Sequence, residues 1–346
     1  MSHLTYAEAV VVGLIQGVTE LFPVSSLGHN VLLPAIVGGS WATDLNVAAS
    51  ESPYLAFVVG LHVATAIGIM VYFWRDWVRI VHGFGTSVRH FRVQTVDEKL
   101  CWFLILATIP VGLVGLLFEH EFRVLFAKPI RAAIFLVVNG LILYAGERFR
   151  TRRSKQADVD QAARRAELAA MPATAFAEPG GRGSAAAAAP ARRPVAAHSS
   201  GQRAIRRQEE LQALESDARL SMIGWMEAVI IGSAQILALL AGISRDGVTM
   251  VAGMFRGLSR EDAARFAFLL ATPVILAAGV LKMPDLTGSL SQGIHGQILV
   301  GSIFAGVGAY LSVRFLVRYF QTRTLTPMAV YCVVVGLAAI VYLQVK

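Results

Sequence analysis

The chain has 346 residues, of which 55% are hydrophobic and 16% charged, with a formal net charge of +8. Soluble domains carry roughly 25% charged residues, so composition excludes that class. A membrane β-barrel is excluded as well, because its segments of about ten residues with alternating polarity are missing.

The first element, Tyr6–Val37, is apolar but interrupted. Inside it runs "QGVTELFPVSSLGHN", from Gln16 to Asn30, with a glutamate, two adjacent serines and a histidine at what reads as membrane depth. The opening "MSHLTYAEAV" lacks a basic n-region, so no cleavable signal peptide is expected. Pro53–Trp74 is the first uninterrupted span, close to the roughly 20 residues that cross a bilayer. No Lys or Arg precedes Arg75, whereas the Arg75–Lys99 connection holds five. Leu100–Phe118 and Ile130–Gly146 are the next spans. Glu147–Ser221 is polar, with 14 Lys/Arg against 9 Asp/Glu, which suits a cytoplasmic loop better than a nucleic-acid groove reader. Its low-complexity centre, "EPGGRGSAAAAAPARRPV", buries too little apolar surface to offset ordering entropy.

A second interrupted segment, Met222–Phe255, opens the last part of the chain. Ala264–Leu281, Gln297–Val317 and Thr326–Val345 follow as spans, with three arginines in Arg314–Arg323. Cys101 and Cys332 stand alone in apolar runs and read as buried side chains. The expected fold is an all-α integral membrane protein of six transmembrane helices plus two re-entrant helix pairs. Residues 1–146 form the first membrane half, 147–221 a cytoplasmic, largely disordered linker, and 222–346 the second half. Placing the Lys/Arg-rich connections inside puts both termini outside.

The two interrupted segments match each other at a constant offset of 219, pairing Gln16 with Gln235, Ser25 with Ser244 and Gly28 with Gly247. Three spans follow each, so the halves are expected to form an inverted repeat. In such architectures discontinuous helices meet at a polar site near the bilayer midplane.

The paired segments supply Gln16, Glu20, Ser25, Ser26 and His29 from one side and Ser244, Arg245, Asp246, Gly247 and Thr249 from the other. An ionisable group at a membrane-helix centre costs about 2.5–3.5 kcal/mol on insertion scales and is a functional candidate by default. Arg245 is a planar fork suited to phosphate or carboxylate, and the glycine-rich backbone beside it favours anions. Gln16 and Glu20 lie one helical turn apart and offer hard oxygen ligands for Mg²⁺ or Ca²⁺. His29 suits a base or nucleophile, and Ser25 or Ser26 a nucleophile or oxyanion donor. The bland readings are a serine bonded to its own helix, an Arg245–Asp246 structural pair, and core histidines at 29 and 62. Together the cluster points to phosphoryl chemistry on an anionic group attached to a lipid.

At these residues the sequence resembles the bacterial undecaprenyl-diphosphate phosphatases, a family linked with bacitracin resistance. Its (E/Q)-x-x-x-E stretch and P-V-S-S-x-G-H match Gln16, Glu20, Pro23, Val24, Ser25, Ser26, Gly28 and His29. Its P-G-x-S-R-S-x-x-T motif is met by Gly242, Ser244, Arg245 and Thr249. The resemblance implies a hydrolase in the bacterial plasma membrane that converts undecaprenyl diphosphate to undecaprenyl phosphate and phosphate, recycling the carrier for cell-wall glycan synthesis. It implies catalytic roles for Glu20, Ser25, Ser26, His29 and Arg245, and substrate binding by Gln16, Ser244, Gly247 and Thr249. A divalent cation, Mg²⁺ or Ca²⁺, is expected at Gln16 and Glu20. Expected partners are a polyprenyl diphosphate, membrane lipids and a second copy in a homodimer, with no nucleic acid. Three features depart from the pattern: Ala241 in place of proline, Asp246 in place of the serine after the arginine, and a long cytoplasmic insert. A polyprenyl-phosphate or other anion translocase shares the architecture, and an intramembrane serine protease built on Ser244 is the weaker rival.

Overall fold

The computed structural model describes residues 4–45, 53–126, 128–170, 200–282, 288 and 293–345, and among them there is no strand. Helix α1 (Tyr6–Thr19) starts at a capping box in which Thr5 accepts from the Glu8 N–H and Glu8 reaches back to the Thr5 N–H. A turn over residues 20–25 leads to α2 (Ser26–Val37), capped by Ser25, and then to the short α3 (Ser40–Asp44). Helix α4 (Pro53–Tyr72) is followed by α5 (Trp74–His90), α6 (Val96–Phe126), α7 (Pro129–Ala170) and α8 (Ser200–Ser221). The second interrupted segment comprises α9 (Trp225–Ser233), a 3₁₀ turn over Ala234–Leu239, and α10 (Arg245–Phe255). The chain closes with α11 (Arg260–Leu281), α12 (His295–Thr322) and α13 (Thr326–Val345).

Among the described residues six helical stretches are long and apolar enough to cross a membrane: Pro53–Tyr72, Val96–Phe118, Pro129–Arg153, Arg260–Leu281, His295–Thr322 and Thr326–Val345. They coincide with the six spans expected from hydropathy. The Arg75–Lys99 connection differs from that expectation, being largely helical as α5. Its Ile80, Gly83 and Ser87 are buried while Trp74, Val78, Val81 and Val88 stay exposed. A helix with such faces reads as polar in a hydropathy window because its arginines dilute the apolar stripe. The described flanks of the expected linker are helical too, through Ala170 and again from Ser200, and its low-complexity centre lies outside the described residues. Residues 149–215 make a compact unit of their own.

Within the main unit, α1 packs along α12 and runs parallel to it. A Cβ on Gly13 would run into the carbonyl of Gly301, and one on Gly17 would lie 3.0 Å from the Gly308 Cα. Small residues of this kind let membrane helices approach backbone to backbone, where no hydrophobic drive separates helix from lipid. The second segment repeats the device against α6. A Cβ on Gly232 would meet Ala107 of α6 at 2.5 Å, Trp225 packs edge-on to Phe103, and Leu239 approaches Gly115. Each interrupted segment therefore lies parallel to the second spanning helix of the opposite half. The core between them holds the fully buried Phe57, Leu61, Phe103, Phe266 and Phe268.

One end of the main unit is tied by an ionic network. Arg265 donates to Asp217 at 2.8 Å and Asp76 at 3.0 Å, while Arg79 reaches Asp76, Asp97 and Asp217 at 2.6, 3.1 and 2.7 Å. Arg219 pairs with Asp262 at 2.7 Å, and the Glu147 carboxylate accepts from Arg260 and the Leu325 N–H. These contacts anchor the returning chain at residues 216–221 to α5 and α11. Removing one partner of a buried pair strands a charge, at about 3–5 kcal/mol. Asp217→Ala is therefore expected to lower the midpoint of thermal unfolding in detergent, and Asp217→Ala with Arg265→Leu to recover part of that loss. Equal midpoints for Asp217→Ala and the unaltered protein would contradict the role assigned to this network.

Candidate active site

The two interrupted segments meet at Glu20, which follows the last turn of α1 and has a side chain only 3% exposed. One carboxylate oxygen accepts from the Arg245 guanidinium, 225 residues away in sequence at the first position of α10. The other accepts the Ser26 hydroxyl and the Gln16 amide, the latter at 2.9 Å. Nε2 of His62, on α4, lies 3.4 Å from that same oxygen. The His62 Nδ1–H donates to the Val58 carbonyl at 2.9 Å, which fixes the ring with Nε2 towards Glu20. The Gln16 carbonyl oxygen accepts from Asn30 at 2.8 Å. Four helices thus converge on one carboxylate.

Backbone geometry holds the two turns together. Ser25 sits at φ 70°, a region costly for a residue with a Cβ, and its Oγ accepts the N–H groups of both Gly28 and Gly242 at 3.2 Å. Gly242, at φ 111°, has no room for a side chain, since a Cβ would meet the Ala132 carbonyl and the Leu136 nitrogen. Asn139 of α7 is fully buried and bridges the turns. Its amide donates to the Pro23 carbonyl at 2.9 Å, and its oxygen accepts the Ser244 N–H at 2.9 Å.

Gln16, Glu20, Ser26 and Arg245 come together as the sequence suggests. Ser25, Ser244, Gly247 and Thr249 make hydrogen bonds that hold the two turns and α10. Ser25 already accepts two N–H groups, the Ser244 Oγ caps α10 through the Gly247 N–H at 3.2 Å, and Thr249 donates to the Arg245 carbonyl at 2.8 Å. His29 is drawn away from the Glu20 hydrogen bonds. Its Nδ1–H donates to the Ser25 carbonyl at 2.7 Å, while Nε2 lies 2.9 Å from the Tyr331 hydroxyl, with the two rings stacked. Asp246 is 2% exposed and within electrostatic reach of Arg245 and Glu20. Its Oδ2 and the Nε of Arg245 are buried polar atoms with no protein hydrogen bond among the described residues.

Gln16 and Glu20 do not fit the expected divalent-cation site as they stand. Both Glu20 oxygens and the Gln16 oxygen are engaged by N–H or O–H donors. Among the described residues no group of three or more His, Cys, Asp or Glu side chains is placed to hold a metal.

Sequence reasoning left His62 unassigned and did not single out Asn30 or Asn139. His62 and Asn139 carry a usable signal, a lone polar residue inside an apolar run, and Asn30 closes the polar stretch that begins at Gln16. Which of them point at Glu20 depends on helix rotation, and that is a tertiary property.

The family model described as bacitracin resistance protein BacA matches residues 9–171 and 199–338. The chain belongs to the BacA family. It is 54% identical over 345 residues to an undecaprenyl-diphosphatase of Mycolicibacterium paratuberculosis, covering 100% of this chain and 99% of that protein. It is 53% identical over 340 residues to undecaprenyl-diphosphatase 2 of Frankia alni, with 97% of each chain covered. An undecaprenyl-diphosphatase of Granulibacter bethesdensis is 35% identical over 345 residues, covering 97% of this chain and 96% of that one. Family membership and the six apolar helices together make this a multi-pass membrane protein. The match runs through both interrupted segments, so the Glu20 cluster lies inside the part of the chain that defines the family.

Asn139→Ala leaves the Pro23 carbonyl and the Ser244 N–H without their buried partner. At about 1–3 kcal/mol for each stranded group, the variant is expected to unfold at clearly lower temperature than the unaltered protein in the same detergent. An unchanged midpoint would mean that the two turns do not depend on this bridge.

Proposed function

We propose that the chain hydrolyses undecaprenyl diphosphate to undecaprenyl phosphate and inorganic phosphate, at the cluster centred on Glu20 and Arg245. The observation that carries this reading is the Ser26–Glu20–Arg245 contact chain. In it the Ser26 hydroxyl and the Arg245 guanidinium, one from each interrupted segment, donate to one buried carboxylate, which supports reading them as nucleophile, phosphate-binding fork and base. Relatives of matching length that bear the name undecaprenyl-diphosphatase support the substrate assignment.

In this reading Arg245 holds the diphosphate through guanidinium donors beyond the one given to Glu20. Glu20 takes the proton from Ser26, and the Ser26 oxygen attacks the terminal phosphorus. The Ser26 Oγ–P bond forms, the bridging P–O bond breaks, and undecaprenyl phosphate departs with the electron pair. Water then hydrolyses the phosphoserine, releasing phosphate and returning the proton to Ser26. His62 steadies the Glu20 carboxylate and offers a proton path. Ser25, Ser244, Gly247 and Thr249 shape the two turns that present Ser26 and Arg245, and His29 acts through its bond to the Ser25 carbonyl. No step is drawn through Mg²⁺ or Ca²⁺, and dependence on either is read by adding and chelating the ion.

The two halves are read as an inverted repeat with re-entrant pairs α1/α2 and α9/α10. Supporting this, α1 lies parallel to α12 and α9 parallel to α6. In both α1 and α9 a glutamate in the first turn also accepts the N-cap N–H, Glu8 from Thr5 and Glu227 from Gly224, each at 2.8 Å. Lys/Arg placement supports reading residues 147–221 as cytoplasmic and both termini as external. A homodimer remains part of the reading, tested by solution mass.

The test is phosphate release from undecaprenyl diphosphate by the detergent-purified protein, with an acid quench to trap phosphoserine. Glu20→Gln and Ser26→Ala are each expected to lose about 10²-fold or more in turnover, the scale set by general-base and nucleophile removal. Arg245→Lys keeps the charge but loses the fork, and an effect on the order of 10²–10³ in kcat is expected. Full turnover in Ser26→Ala would reject the covalent route, and no turnover in the unaltered folded protein would reject the function. Asp246→Ser removes a negative charge beside the diphosphate-binding arginine, and is expected to lower KM with turnover retained. A raised KM would show that the carboxylate helps to hold substrate.

A further inference from the structure

We propose that α5 lies in the plane of the bilayer surface, with one edge in the acyl region and the other among headgroup phosphates. Around its axis the helix divides into three sectors rather than two. Ile80, Gly83 and Ser87 are buried and fall within about 60° of one another at 3.6 residues per turn. Trp74, Val78, Val81 and Val88 are exposed and span about 80°. Arg75, His82 and Arg89 recur every seven residues, are exposed, and span about 40°. A helix lying against a protein in water has a packed face and a polar face, and neither accounts for the exposed apolar sector.

The contacts of α5 show that it crosses the ends of the spans instead of descending beside them. It follows directly on the end of the α4 span at Tyr72. In its first turn Asp76 accepts from Arg265, near the start of α11, at 3.0 Å. Halfway along, Gly83 packs on the first turn of α6, where a Cβ would lie 2.9 Å from the Asp97 carbonyl carbon and the Glu98 nitrogen. Thr86 donates to Glu98 at 2.8 Å. The stretch from Asp76 to Thr86, about 15 Å long, therefore stays level with the ends of three spans.

The same contacts separate a deep edge from a shallow one. Phe84 packs against the Trp102 ring with centroids 5.8 Å apart, and Trp102 donates to Ser87 at 3.0 Å. Trp102 stands one turn further into the α6 span than Glu98. On the other edge Thr86 binds Glu98, whose carboxylate turns back to the Gln94 and Thr95 N–H groups ahead of that span. Around the helix the apolar sector adjoins Phe84 and the basic sector adjoins Thr86. The stripe therefore points towards hydrocarbon and the basic edge towards water.

Carboxylates do border α5, and they are engaged within the protein: Asp76 and Asp97 by Arg79, Asp217 by Arg79 and Arg265. Arg75 rests on the Trp74 ring, 5.4 Å from its centroid. Side chains with an apolar body and a polar tip suit the boundary between acyl chains and headgroups. A protein docking from the water would meet the basic edge and leave the stripe uncovered, whereas a bilayer meets both. Interfacial amphipathic helices bury their apolar face at this boundary and keep Lys and Arg on the polar side.

The full chain, reconstituted in phosphatidylcholine vesicles containing phosphatidylglycerol, is spin-labelled at single introduced cysteines. Val81→Cys and Val88→Cys report the apolar sector, His82→Cys and Arg89→Cys the basic one. The unaltered protein gives the labelling background, since Cys101 and Cys332 are buried. Collision rates with oxygen, which concentrates in lipid, and with a nickel chelate kept in water on both vesicle faces are read by electron paramagnetic resonance. The oxygen-to-nickel ratio is expected to be about threefold or more higher at residues 81 and 88 than at 82 and 89. Either apolar-sector label suffices if the other variant folds poorly. Equal ratios in the two sectors, or a higher ratio in the basic one, would overturn the proposal. So would spin–spin broadening at residue 81, which would mean that a second copy of the chain covers the stripe.

Discussion

The Glu20–Arg245 pair is the contact on which the rest of the arrangement depends. Neither charge is tolerable alone in this buried position, since burying an isolated ion costs far more than any one packing contact returns. Each is made acceptable by the other and by hydrogen bonds around it: Ser26, Gln16 and His62 on the Glu20 side, with Asn30 holding Gln16 in turn. Because the two residues are 225 positions apart, the pair forces two turns from opposite ends of the chain to meet.

That meeting requires backbone to approach backbone. A Cβ on Gly28 would lie 2.9 Å from the Gly242 Cα, so the turns touch through positions where a side chain would intervene. Ser25 and Asn139 then convert proximity into register by satisfying N–H and carbonyl groups that have no helix to satisfy them. The same logic recurs in the helix contacts, where Gly13 and Gly17 admit α12 and Gly232 admits α6.

Charge is distributed between two places with different consequences. The network of Asp76, Arg79, Asp217 and Arg265 closes one end of the unit and leaves few polar atoms without partners. The Glu20 cluster is less complete, since Arg245 Nε and Asp246 Oδ2 are buried without a hydrogen-bond partner among the described residues. A satisfied network holds a fold, whereas the Glu20 cluster keeps unused hydrogen-bonding capacity beside a buried carboxylate.

By itself the sequence determined the membrane class, the six spans and the polar interruptions that mark the site. Hydropathy and residue type are local properties that a window can read. Glu20, Ser26 and Arg245 were legible as candidates because ionisable and hydroxyl groups inside apolar runs are rare and costly. Only the tertiary structure decided which candidates touch. It turned His62 towards Glu20 and His29 towards Tyr331, and it gave Ser25 and Ser244 to backbone N–H groups. It also exposed the amphipathic face of α5, which a hydropathy average conceals. Helix rotation, helix pairing and the meeting of two turns are set by packing between residues far apart in the chain, and no local pattern contains that information.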